Sequence, residues 1–152
     1  MGAAYFYHLT RRPLEATLPM LLDKALAAGW RVAVRGPDAA RLAWLDEKLW
    51  LGPEDGFLAH GLAGTPHEAL QPVLLTTETH YPNDPACVMV IDGAAPLPEE
   101  VQAMDRVCVL FDGNDPEVLQ AARGHWTSLK DAGCAAQYWS EETGRWEKKA
   151  ET

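Results

Sequence analysis

The chain contains no apolar stretch long enough to cross a bilayer. Its opening residues, Met1-Gly2-Ala3-Ala4-Tyr5-Phe6-Tyr7-His8, lack the basic start and apolar run of a secretory signal. The expectation is a cytoplasmic protein with no membrane partner. Cysteine is scarce: Cys87, Cys108 and Cys134 are odd in number, far apart and form no CxxC pair. That excludes a disulfide framework and leaves buried, unreactive thiols as the reading. A basic run is also missing, and the net charge is −9. Phosphate neutralisation dominates nucleic-acid affinity, so no strong direct binding of nucleic acid is expected.

Catalytic and cofactor motifs are absent too. The turn Gly36-Pro37-Asp38-Ala39-Ala40 carries neither GxxxxGK[ST] nor GxGxxG. The histidines His8, His60, His67, His80 and His125 contain no HExxH, and no GxSxG or paired Cys–His motif supplies a nucleophile. Asp92 and Asp112 stand at strand ends, where Mg²⁺ is one reading. Without a phosphate loop, turn-forming carboxylates are the preferred one. The expectation is a protein with no catalytic site, metal or cofactor.

What is present is an alternation of strands and helices in 152 residues, the length of one domain. Strands are predicted at 4–8, 31–35, 71–77, 87–91, 106–111 and 135–139. Leu14, Leu18, Leu21, Leu22 and Leu26 recur at helical spacing, with Pro19 inside the pattern and Gly29 as its stop. Leu42, Leu45 and Leu49 mark the inner face of a second helix. Further helices are predicted near 98–104 and from Asp115 to about Lys130, with Gly133 after the last. The runs at 87–91 and 106–111 are almost wholly apolar, which suits parallel strands covered on both faces. The predicted fold is a single three-layer α/β domain over 1–146 with a mostly parallel sheet, and a frayed tail at 147–152.

Six tryptophans are unevenly useful. Trp126 sits on the last predicted helix with Arg123 one turn before it and Lys130 one turn after it, so the three share a stripe. Leu119, Ala122 and Leu129 flank that stripe on the core side. Trp50 ends the second helix beside a turn, where a large ring can stay partly exposed. An aromatic wall next to Arg and Lys suits a short acidic peptide with a terminal carboxylate. Spacing alone favours solvated charges around a core tryptophan.

The chain resembles the chi subunit family of bacterial DNA polymerase III. The resemblance is carried by Tyr5-Phe6-Tyr7-His8-Leu9, Gly29-Trp30-Arg31-Val32-Ala33-Val34, Leu45-Asp46-Glu47-Lys48-Leu49-Trp50 and Phe57-Leu58-Ala59-His60-Gly61-Leu62-Ala63-Gly64. It continues through the 106–111 strand, Ala122-Arg123 and Trp146. It implies a mononucleotide-binding-like fold without a working phosphate loop. It also implies an adaptor that links the acidic C-terminal tail of single-stranded DNA-binding protein to the clamp loader. Tail-binding residues would be Trp50, Arg123 and Trp126, with Lys130 as a second cation, because Leu119 stands where the family has a basic residue. Phe57, His60 and Leu62 would face the psi subunit or an equivalent clamp-loader component. A small nucleotide-binding enzyme and a regulatory domain are the competing readings.

Overall fold

The computed structural model describes residues 2–10, 13–50, 60–140 and 146–151. The elements run β1 (Ala3–Leu9), α1 (Leu14–Ala27), β2 (Val32–Arg35), α2 (Ala39–Trp50), β3 (Gly61–Leu62), β4 (Val73–Thr76) and β5 (Cys87–Val90). They continue with α3 (Pro98–Ala103), β6 (Arg106–Asp112), α4 (Pro116–Asp131), β7 (Ala135–Ser140) and β8 (Glu147–Glu151). The strands form one sheet in the order β3-β4-β2-β5-β6-β1-β7-β8. Every neighbouring pair is parallel except β7 with β8, so the expected three-layer, mostly parallel α/β fold is what forms.

Helices α1 and α4 end where glycine lets the chain turn. After α1, Gly29 takes φ +85° and Trp30 N–H donates to Ala25 O at 3.1 Å. After α4, Gly133 takes φ +80° and Cys134 N–H donates to Leu129 O at 3.0 Å. Both are helix ends closed by a left-handed residue that a side chain would strain. Helix α1 starts at Leu14 and runs through Pro19 without a break. At the head of α4 the Asp115 carboxylate accepts from the N–H groups of Glu117 and Val118.

Successive strand residues point to opposite faces, and this divides the core in two. On the first face, Val32, Val34, Val73, Leu75, Met89 and Leu110 pack under Leu18, Leu22, Leu42, Leu45 and Leu49 of α1 and α2. On the second face, Phe6, Ala33, Val88, Val107 and Val109 pack under Val101 of α3 and Ala122 and Leu129 of α4. The handedness of parallel crossovers explains the division. From β1 the chain moves toward the β3 edge, and from β5 it moves back toward the β8 edge. Right-handed connections travelling in opposite directions lay their helices on opposite faces.

Two features differ from the sequence expectation. Residues expected to fray form β8, antiparallel to β7 with Gln137 opposite Glu151 and Ser140 opposite Glu147. Its Glu-Lys-Lys-Ala-Glu sequence has no apolar alternation, and backbone pairing to β7 holds it. In addition, Gly61–Leu62 forms the two-residue strand β3, which is not among the predicted strands. Cys87, Cys108 and Cys134 are all buried, and none of the three is in a disulfide. A hydrogen bond with Cys87, and then burial, holds the Cys108 thiol protonated.

Candidate functional site

Helix α4 carries the first candidate surface. Trp126 is half-buried, its ring edge-on to Phe6 at 5.4 Å and to Tyr138 at 6.1 Å. The Tyr138 hydroxyl and His8 Nδ1 form a hydrogen bond of 2.6 Å, and His8 lies against Phe111 at 5.2 Å. Trp126 is thus the outer end of an aromatic chain rooted in the second core. Arg123 and Lys130 are exposed on either side of it, and among the described residues neither forms an ion pair. Leu119 is half-buried one turn before Arg123 and packs on the same core.

Trp50 does not join this group. It sits at the end of α2, whose inner residues belong to the first core, so the sheet lies between it and α4. The expected cluster of Trp50 with Arg123 and Trp126 is therefore not assembled. Local pattern located each residue on its helix. Strand order, invisible to that pattern, decides which face each helix occupies.

Trp50 is instead 52% exposed and packed on His60, with ring centroids 4.3 Å apart and planes tilted by 38°. His60 itself is buried, and its Nε2 lies 3.0 Å from Asp46 O and 3.2 Å from Asp46 Oδ1. Expected as a partner contact, His60 is instead found buried, where it packs on Trp50 and ties α2 to the start of β3. Leu62 follows on β3, half-buried, beside a groove of about 340 Å³ that also takes in Leu42, Gly64 and Leu75. Phe57 lies outside the described residues.

A third place is the crevice at the carboxyl ends of β1 and β6, where one strand leads to a helix on the first face and the other to a helix on the second. Such switch points are where open α/β sheets take ligands. A cavity of about 520 Å³ opens there, lined among others by Thr10, Arg41, Asp92, Asp112, Asn114 and Asp115. Its chemistry opposes a phosphate. Arg41 is paired with Asp92 at 3.1 Å, Asp112 accepts from Asn114 N–H at 2.9 Å, and Asp115 occupies the head of α4, the usual anion seat. Both strand-end aspartates are thus engaged in local turns and pairs. Among the described residues no group of three or more His, Cys, Asp or Glu is arranged to hold a metal ion. Calorimetric titration with ATP or NAD should show no saturable binding; micromolar binding would contradict this reading of the crevice.

Sequence reasoning missed a buried ionic network on the second face. Arg35 Nη2 lies 2.6 Å from Glu100 Oε1, and Arg35 Nε donates to the Tyr81 hydroxyl at 3.0 Å. Tyr81 in turn donates to the other Glu100 oxygen. The only signal available was an arginine closing an otherwise apolar strand. None of the described helices is long and apolar enough to cross a membrane.

The sequence pattern of the family described as DNA polymerase III chi subunit, HolC, matches residues 1–137. The probable DNA polymerase III subunit chi of Rickettsia prowazekii (strain Madrid E) is 21% identical over 111 residues, covering 70% of this chain and 67% of that protein. With the match spanning every element from β1 to the middle of β7, the chain belongs to the DNA polymerase III chi subunit family.

Proposed function

We propose that this chain, a replication accessory protein by its family, is a non-catalytic cytoplasmic adaptor with two docking faces on opposite layers of its sheet. One face takes the acidic C-terminal tail of single-stranded DNA-binding protein. The observation that carries this is Arg123 and Lys130, two exposed cations without ion-pair partners among the described residues, flanking the half-buried Trp126. A tail ending in an apolar residue would seat that residue against Trp126 and Leu119. Its carboxylates would meet Arg123 and Lys130. The apolar contact supplies most of the affinity, and the charges supply orientation and on-rate.

The other face, formed by Trp50 and Leu62 with His60 behind them, receives the psi subunit or an equivalent clamp-loader component. A large, braced, exposed ring beside an apolar edge is the kind of anchor that protein interfaces use. Trp50 thereby moves from the tail-binding group to this second interface.

Sedimentation velocity tests the tail reading. The chain should co-sediment with cognate single-stranded DNA-binding protein and not with a version lacking its C-terminal residues. Equal co-sedimentation with both would contradict the proposal. Because exposed charges are screened, raising the salt should weaken the complex without abolishing it.

A further inference from the structure

The first face of the sheet carries a groove that neither docking surface uses. The described helices of that face, α1 and α2, pack over β2, β4 and β6, whereas the second face has α4 over β6 and β7. Between α1 and the β7 side lies a cavity of about 460 Å³ walled by Tyr7, Trp30, Trp139 and Trp146, with Lys24 and Arg106 at its rim. Its floor is the apolar row Cys87, Met89 and Cys108. Trp146 stands edge-on to Tyr7 at 5.3 Å, and the Arg106 guanidinium lies 4.1 Å over the Tyr5 ring and 5.1 Å from Trp30. Those rings hold the guanidinium in place without neutralising it. Among the described residues neither Arg106 nor Lys24 has a carboxylate at ion-pair distance, in a chain of net charge −9.

We infer that this groove is a third docking site, whose occupant is an amphipathic helix with acidic residues along one border of its apolar face. Charge complementarity selects the acid: two cations with no ion pair among the described residues flank an apolar trough. The backbone selects the helix. The free side of β7 is already taken by β8, so an extended peptide would find no strand edge in the trough and would leave its own N–H and C=O groups unpaired there. A helix satisfies its backbone internally and presents anchors at positions i, i+3, i+4 and i+7. Single-stranded nucleic acid would also use aromatic rings and cations, but the chain's strong negative charge opposes it.

The test is selection of a random displayed-peptide library on the folded protein, followed by affinity measurement of selected synthetic peptides. The expected consensus has apolar residues at helical spacing bordered by Asp or Glu. Binding should weaken about tenfold in Lys24→Glu, the loss of roughly one charge-assisted contact, and stay unchanged in Arg123→Ala. Lys24 is exposed on α1, so its variant should fold even if Arg106→Gln does not. Selected peptides without acidic residues, or peptides indifferent to Lys24→Glu, would overturn the inference. So would a thymidine oligonucleotide that binds the protein and displaces them, which would assign the groove to nucleic acid.

Discussion

Arg35→Met should lower the unfolding free energy by about 3–5 kcal/mol, the scale for removing one partner of a buried ion pair. Arg35 and Glu100 are 8% and 7% exposed in their side chains, and the guanidinium also donates to Ala95 O at 2.8 Å. Glu100 Oε1 in addition accepts from Leu97 N–H at 3.2 Å, which fixes the start of α3. Without Arg35, the carboxylate stays buried with, among the described residues, Tyr81 and one backbone N–H to satisfy it. Burial first, and then the hydrogen bond to Glu100, push the Tyr81 hydroxyl far above the usual phenol range. It therefore remains a donor throughout the physiological range and cannot replace the lost positive charge. The double variant Arg35→Met, Glu100→Met should recover most of the loss, because it removes the stranded charge as well. Urea denaturation of the two single variants and the double variant measures this cycle. A double variant as unstable as the sum of the singles would show that the pairing itself contributes nothing.

Gly113→Ala is the second large effect expected, and it acts on the candidate site from within. A Cβ at position 113 would lie 1.7 Å from His8 Cδ2 and Nε2. His8 cannot easily yield, since it is 8% exposed, bonded to Tyr138 and packed on Phe111. Forcing atoms into a filled core costs about 1–3 kcal/mol, occasionally more. The displacement would pass from His8 to Tyr138 and on to Trp126, so near-ultraviolet circular dichroism should change along with stability. In a His8→Ala background the same substitution should be nearly neutral. If it costs as much there, the clash with the imidazole is not its cause.

Much of the fold was legible because local chemistry and tertiary structure agree. Gly29 and Gly133 close helices at backbone angles that most side chains would strain, and the apolar runs at 87–90 and 106–111 are strands buried on both faces. Legibility failed where the answer depends on strand order. Trp50 and Trp126 both look like aromatics at the border of an apolar helix face, and only the crossover direction separates them by a sheet. It failed again at β8, whose charged residues carry no alternating pattern, and at Arg35, whose burial depends on Glu100, 65 positions away. The stripe of Arg123, Trp126 and Lys130 on α4 was visible from its helical spacing, whereas the packing of Trp50 on His60 was not.

The central claim is that the acidic tail docks on α4 and not on the layer that holds Trp50. Fluorescence anisotropy with a labelled peptide copying the C-terminus of the cognate single-stranded DNA-binding protein tests it most directly, comparing wild type with Arg123→Ala and Trp50→Ala. Losing a charge-assisted hydrogen bond costs about 1–3 kcal/mol, so Arg123→Ala should weaken binding roughly tenfold or more, while Trp50→Ala binds like wild type. Undiminished binding by Arg123→Ala, or a loss confined to Trp50→Ala, would contradict it.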